Sequence, residues 1–245
     1  MSIHLSVSAI CDIGCKKPNN EDMILLQDDI FRDGARQAEL EIDNRVVIAV
    51  ADGIGGLDKG EEASELALVR LRDLLSKIPN DLNNEELQEV FNVYTTETHN
   101  SMPHGAGSTL AGLFVYHGKL FRYHAGDSRI YRMRRGELTR LTVDHSLRES
   151  GGQPNAPSNV ITNSLGGGDS AFIEFAEIEF PFYHNDIYLL SSDGMHDLVS
   201  QGEIAFTLKL PMPAEKLTAM AKKNGGCDNI SVVTIQIKEN KNGLV

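Results

Sequence analysis

Val46-Val47-Ile48-Ala49-Val50-Ala51-Asp52-Gly53-Ile54-Gly55-Gly56 is the stretch that sets the fold class of this chain. Six apolar residues in a row, rich in β-branched types and entered from Asn44-Arg45, describe a strand covered on both faces and central in a sheet. The run stops at an aspartate and a cluster of glycines. After Gly60 the period changes: Ala63, Leu66, Ala67, Leu71, Leu74, Leu75 and Ile78 fall on one helical stripe, and Pro79 ends it. Leu87, Val90, Phe91, Tyr94 and Thr98 mark a second amphipathic helix.

Outward from that centre, residues 3–11 alternate as a strand. Strands at 108–116, 118–125 and 128–134 follow the helices, and the tight connections His117-Gly118 and Gly126-Asp127-Ser128 predict antiparallel hairpins. A further strand pair, 172–179 and 186–192, is expected around the turn Pro181 to Asn185. Helices are expected at about 194–209 and 213–223, and a last strand at 229–237. Arg129 to Arg135, alternating with Ile130, Tyr131 and Met133, reads as the solvated face of a strand, and 145–160 has the Gly/Pro/Asn/Ser content of a mobile loop. Two antiparallel groups with two long helices between them point to one α+β domain over 1–240, with 241–245 as a frayed tail.

Composition narrows the function. The 245 residues carry a net charge of −12, and no Lys/Arg cluster offsets it, which argues against a nucleic-acid surface. Three cysteines without a CxxC or Cys/His ladder argue against structural zinc and against a disulfide framework. No stretch approaches the roughly 20 apolar residues of a membrane span, and Met1-Ser2-Ile3-His4-Leu5 lacks the basic and apolar regions of a signal peptide. A cytoplasmic protein is expected.

Four acidic segments share one make-up: Asn20-Glu21-Asp22, Asp52-Gly53, Ser192-Asp193-Gly194 and Cys227-Asp228-Asn229 each put an aspartate at the edge of an apolar run. One Asp-Gly alone is an ordinary turn. Four strand-edge carboxylates together suit a hard divalent cation, which prefers oxygen ligands. The glycines after Asp52 also admit a phosphate, but there is no GK[ST] and no dinucleotide fingerprint.

These stretches, in order, resemble the metal-dependent protein serine/threonine phosphatases of the type 2C family in their compact bacterial form. The matching runs are Asp12-Ile13-Gly14 through Asp22, Val50 to Gly56 with Gly60 and Ala63-Ser64, Gly107-Ser108-Thr109, Gly126-Asp127-Ser128-Arg129, Leu141 to His145, Leu189 to Gly194, and Gly225 to Ile230. They cover nearly the whole chain. The resemblance implies an α-β-β-α sandwich of two antiparallel sheets flanked by helices, with two Mn²⁺ or Mg²⁺ ions in the cleft between sheet edges. It implies that Asp52 bridges both ions, Asp193 and Asp228 complete one, the Gly53 carbonyl helps hold the other, and Glu21 and Asp22 bind the second ion directly or through water. Asp127 sits where some relatives place a third ion, and Asn229 supports Asp228. Two cations activate a water for in-line attack on phosphorus and neutralise the phosphoryl oxygens. The substrate implied is phosphoserine or phosphothreonine in a protein, the partner a serine/threonine kinase, and the chain a monomer. The alternative is a pseudophosphatase, the same fold used as a binding or regulatory module.

Three positions depart from the family pattern. Lys17 stands where an arginine usually grips the phosphate, giving a point charge without a fork. Ile54 replaces the histidine that many eukaryotic members use as general acid, and His124, His145 and His196 are given no catalytic role. The segment from Asp144-His145 to Asn159-Val160-Ile161 is shorter than the usual flap, which would leave the cleft more open and bears on a third ion at Asp127.

Overall fold

The computed structural model describes residues 3–42, 45–55, 59–149, 152, 155, 156 and 160–239. The tail expected at 241–245, Asn44, Gly56 and much of the 150–159 stretch lie outside the described residues. The chain opens with β1 (Ile3–Asp12), β2 (Asp22–Leu26), β3 (Asp29–Phe31), β4 (Gly34–Glu41) and β5 (Val46–Ile54). Helices α1 (Lys59–Leu75) and α2 (Asn84–Ser101) follow, then β6 (Gly107–Ser108), β7 (Leu110–Tyr116), β8 (Lys119–Ala125), β9 (Arg129–Arg134) and β10 (Glu137–Arg140). The remainder is β11 (Leu165–Gly166), β12 (Glu174–Glu177), β13 (Ile187–Ser191), α3 (Asp193–His196), α4 (Gln201–Thr207), α5 (Pro213–Lys223) and β14 (Ile230–Glu239).

Two antiparallel sheets result. One runs β10-β9-β13-β14-β1-β4; the other runs β11-β6-β5-β7-β8-β12, with β2 on the free side of β5 and β3 beyond it. As expected, β5 is central: Val46–Val50 pairs with β7 and Ile48–Asp52 with β2. Its alternation feeds two cores. Ile48 and Val50 enter the layer between the sheets with Val7, Ile24, Leu113, Leu190 and Val233. Ala49 and Ala51 face the helices, packing with Leu68 and Leu71 of α1 and Phe91 of α2. On the other sheet β14 divides likewise: Val233 and Ile235 point inward, Ile230 and Val232 toward Met195, Ile204 and Leu217 of the short helices. The order is therefore helix, sheet, sheet, helix, the α-β-β-α sandwich. Each fully buried Leu or Phe in these layers stabilises the fold by about 1.5–3 kcal/mol.

Two expected pairings are not formed. Gly126-Asp127-Ser128 is not a hairpin: β8 pairs with β7 and β12 in one sheet, while β9 pairs with β10 and β13 in the other. The turn carries the chain across the sandwich. Likewise 172–179 and 186–192 do not pair with each other, because β12 lies on β8 and β13 lies between β9 and β14. The helix expected over 194–209 is divided, with Ser200 capping α4 by accepting from the Glu203 N–H. Arg129 and Arg134 are not a solvated face either. Arg129 makes a forked pair with Asp144 at 2.6–3.2 Å, and Arg134 pairs with buried Asp186 at 2.6 Å.

Candidate active site

All the strand ends named by the sequence meet at one edge of the sandwich. Asp22 at the start of β2 sits directly opposite Asp52 of β5. From the other sheet, Asp193 follows β13 at the first turn of α3, and Asp228 lies two residues before the start of β14. Asp127 reaches the same edge because the chain crosses between sheets at that point. The acids grade from floor to mouth: Asp22 is 1 % exposed and the Asp228 side chain 38 %.

Glycines beside the acids are required by closeness rather than by turns. A methyl placed on Gly53 would lie 2.0 Å from the Gly60 carbonyl oxygen and 2.9 Å from that of Glu21. A methyl on Gly60 would meet Glu21 Oε1 at 2.3 Å and the Gly53 carbonyl oxygen at 3.0 Å, so both oxygens converge on the space a side chain there would fill. Gly194 is packed the same way, its missing methyl 1.9 Å from the Asn229 carbonyl oxygen, which draws Asp193 against Asp228.

Hydrogen bonds across the two sheets hold the acids in place. Ser192 Oγ donates to Asp22 Oδ2 at 2.6 Å and accepts from the Ser231 N–H at 2.9 Å. Asn229 accepts from the Glu21 N–H at 2.8 Å and donates to the carbonyls of Ile13 and Asn19, both at 3.0 Å, tying the 13–21 loop to the base of β14. It thereby ties Glu21 to the segment that carries Asp228. The Asp52 N–H donates to Thr109 Oγ1 at 3.0 Å, and Thr109 Oγ1 bonds Ser128 Oγ at 2.7 Å. Thr109 and Ser128 belong to motifs quoted in the sequence, but their joint contact required the fold.

Electrostatics give this site a large excess of negative charge. Burial, and then the Asp22, Asp193, Asp127 and Asp228 charges, hold the Asp52 carboxyl well above the usual range. Asp22 is pushed up to about 7 by burial and by Asp193 and Asp228, Asp193 to about 6 by burial and Asp228, and Asp127 to about 8 by burial and by Asp193 and Asp144. Asp22 Oδ1 and Asp193 Oδ1 are buried without a hydrogen-bond partner. Lys17 faces this cluster at its mouth: its Nζ lies 2.7 Å from Asp228 Oδ1 and 3.9 Å from Glu21 Oε2. Burial works against its charge, but Asp228, Glu21 and Asp52 hold the ammonium above the usual lysine value. Buried carboxylates in this excess, with orphaned oxygens and a glycine-lined space, fit divalent cations.

His124 and His145, assigned no catalytic role above, group with Glu174. His124, His145 and Glu174 bring one ligand atom each within 4.8 Å of one another. Both the Gly126 N–H and the Asn163 amide donate to His145 Nδ1, at 3.2 and 2.8 Å, and Asn163 is fixed in that orientation by two 3.0 Å bonds to the Phe172 backbone. The ring proton therefore sits on Nε2, facing Glu174 Oε1 at 3.3 Å. With the His145 N–H also donating to the Gly126 carbonyl at 2.9 Å, this residue clamps the crossover that carries Asp127. The base of the 145–160 segment is a narrow ladder, Ser146 bridging Ile161 and the Leu147 N–H donating to the Val160 carbonyl at 2.8 Å.

The family described as protein phosphatase 2C matches residues 24–208 of this chain. Protein phosphatase PhpP of Streptococcus pneumoniae is 30 % identical over 260 residues, covering 96 % of this chain and 98 % of that protein. Among solved structures, the S. agalactiae serine/threonine phosphatase superposes with a TM-score of 0.78 at 25 % identity, covering 96 % of this chain and 100 % of that one. The catalytic domain of serine/threonine protein phosphatase PstP in complex with two manganese ions superposes with a TM-score of 0.73 at 29 % identity, covering 97 % and 100 %.

Proposed function

The chain belongs to the protein phosphatase 2C family and is a protein serine/threonine phosphatase, and on that premise we propose that it removes phosphate from phosphoserine and phosphothreonine with two divalent cations held by Asp52, Asp193, Asp228, Glu21, Asp22 and the Gly53 carbonyl. The observation that supports this most is the convergence of buried, repelling carboxylates from both sheets on one edge, with two orphaned oxygens. Mn²⁺ or Mg²⁺ there would supply Lewis acidity, activating water and neutralising charge on the phosphoryl oxygens. Asp52 and Asp22, from adjacent strands, and Asp193 and Asp228, from the facing sheet, fix the ligand positions on rigid elements. Asn229 orients Glu21 and Asp228, and Ser192 directs the Asp22 carboxylate. Asp127 stands where a third ion would be held. No histidine is assigned as general acid, since His196 is buried neutral against Ser191 and Nδ1 of His145 is already an acceptor. An opposing serine/threonine kinase and a monomeric state complete the proposal. Among the described residues, no helix is long and apolar enough to cross a membrane.

The test is phosphate release from a phosphothreonine peptide. Hydrolysis is expected with Mn²⁺ and is abolished by excess chelator; peptide binding without turnover in Mn²⁺ would instead identify a pseudophosphatase. The same assay addresses Lys17. With Asp228 engaged in holding a cation, the Lys17 ammonium would be free to face a substrate phosphate. Lys17→Ala is expected to raise KM about tenfold or more, since a hydrogen bond to a charged group contributes roughly 1.5–3 kcal/mol. Lys17→Arg should preserve or improve KM through a two-pronged contact. An unchanged KM in both variants means the phosphate is held elsewhere.

A further inference from the structure

Two cysteines that the chemistry above does not use border the candidate site. Cys15 and Cys227 are exposed, whereas Cys11 is buried, with its sulfur 3.4 Å from both Ser231 Oγ and Asn20 Nδ2. The Cys15 N–H donates to the Gly226 carbonyl oxygen at 2.8 Å. That oxygen belongs to the peptide joining Gly226 to Cys227, so standard bond lengths place the Cα atoms of Cys15 and Cys227 no more than about 7 Å apart. Bridged cysteines usually have Cα atoms about 4.4–6.8 Å apart. The Cys15 sulfur leans toward this segment: a methyl on Gly226 would lie 2.7 Å from it. The same two segments also carry the candidate metal ligand. A methyl on Gly14 would lie 2.1 Å from the Asp228 carbonyl oxygen, and Lys17 reaches Asp228 at 2.7 Å.

We propose that Cys15 and Cys227 form a reversible disulfide when the protein meets a hydroperoxide, and that this cross-link weakens divalent-cation binding at Asp228. The second half rests on the metal site proposed above. The Cys15 sulfur attacks the peroxide, taking one oxygen as a sulfenic acid and releasing water or an alcohol. The Cys227 sulfur then attacks the sulfenic sulfur; the S–S bond forms and a second water leaves. The two thiols together supply two electrons, and the O–O bond accepts them. Closing the S–S bond to about 2.05 Å fixes the Cys227 side chain and ties the 15–17 segment to it, and Asp228 is the next residue, its Oδ1 accepting from the Asn229 N–H at 2.8 Å. Displacing the groups that orient a ligand typically weakens metal affinity about 10–100-fold.

The experiment treats metal-free, fully reduced protein with hydrogen peroxide, followed by intact mass, peptide mapping and Mn²⁺ titration calorimetry. The expected result is loss of two hydrogens, one linked peptide pair joining Cys15 to Cys227, and a Kd for Mn²⁺ raised about tenfold or more, all reversed by dithiothreitol. Cys15→Ser and Cys227→Ser should form no link and keep both hydrolysis and Mn²⁺ affinity after peroxide. A link through Cys11, no link at all, or a mapped Cys15–Cys227 link with unchanged Kd overturns the proposal. Failure of the reduced protein to bind Mn²⁺ overturns the metal site itself and is seen before any peroxide is added.

Discussion

Asp52→Asn is expected to leave a folded protein whose Mn²⁺-stimulated hydrolysis of a phosphothreonine peptide falls by at least about a thousandfold, roughly 4 kcal/mol of transition-state stabilisation. Asparagine keeps the volume and one oxygen but removes the charge through which Asp52, with the facing Asp193 and Asp228, would hold the proposed cations. Stability should move the other way. Asp52 is buried among Asp22, Asp193, Asp127 and Asp228, and burial first, then repulsion from those four, holds its carboxyl well above the ordinary range. Removing that charge relieves the cluster when no cation is present. Thermal melting in chelator should therefore give the variant a midpoint equal to or above the parent's. The combination of lost catalysis with undiminished stability separates a metal ligand from a residue that merely supports the fold, whose loss lowers both. Activity within tenfold of the parent would remove Asp52 from the proposed centre.

Local chemistry in the sequence was enough to find the acids but not to say how they are brought together. The β5 run, the helical stripe after Gly60 and the β7–β8 hairpin at His117-Gly118 were legible because periodicity and turn residues are local signals. Gly126-Asp127-Ser128 carries an equally strong turn signal, yet it joins strands of different sheets. A tight turn specifies that the chain changes direction; which neighbour the next strand finds depends on long-range pairing, here β9 with β13. The error mattered, because the crossover is what takes Asp127 to the acidic edge beside Asp193. The run after Asp22 was legible as an apolar strand edge, but strands β3 and β4 went unread for a different reason. β3 is three residues long, and β4, Gly34–Glu41, is a largely exposed edge with little apolar alternation. Arg129 looked solvated because its partner Asp144 lies fifteen residues away, in what reads as a loop. Asp-Gly read as a turn signal, whereas Gly53 and Gly194 are small because other backbone segments touch them.

Chelated protein should lose stability as pH rises from 6.5 to 8.5, and Mn²⁺ should restore it by a margin that widens over the same interval. Asp22 at about 7 and Asp127 at about 8 titrate above their ordinary value of 3.8. In the intervening range the folded state holds more protons than the unfolded chain, so raising the pH favours unfolding. The stability these protons confer is complete below about pH 4 and is lost as pH rises through the folded values. Buried histidines act in the opposite sense. His124 is lowered to about 3 by burial and the His145 charge, and His196 well below 6.5 by burial and Arg129, so both cost stability only as pH falls below 6.5. Their contribution is nearly complete at the start of the chosen interval, which leaves the acids to set the slope. Cation binding needs the same carboxylates ionised, so each proton lost weakens the free protein and strengthens the site. At 100-fold excess over Kd one ion contributes about 2.7 kcal/mol, roughly 5–10 °C for a chain of this size. Melting curves at half-unit pH steps, with chelator and with Mn²⁺, measure both trends. A chelated midpoint that climbs between pH 6.5 and 8.5, or a Mn²⁺ increment independent of pH, would mean that the buried carboxylates are not the cation ligands.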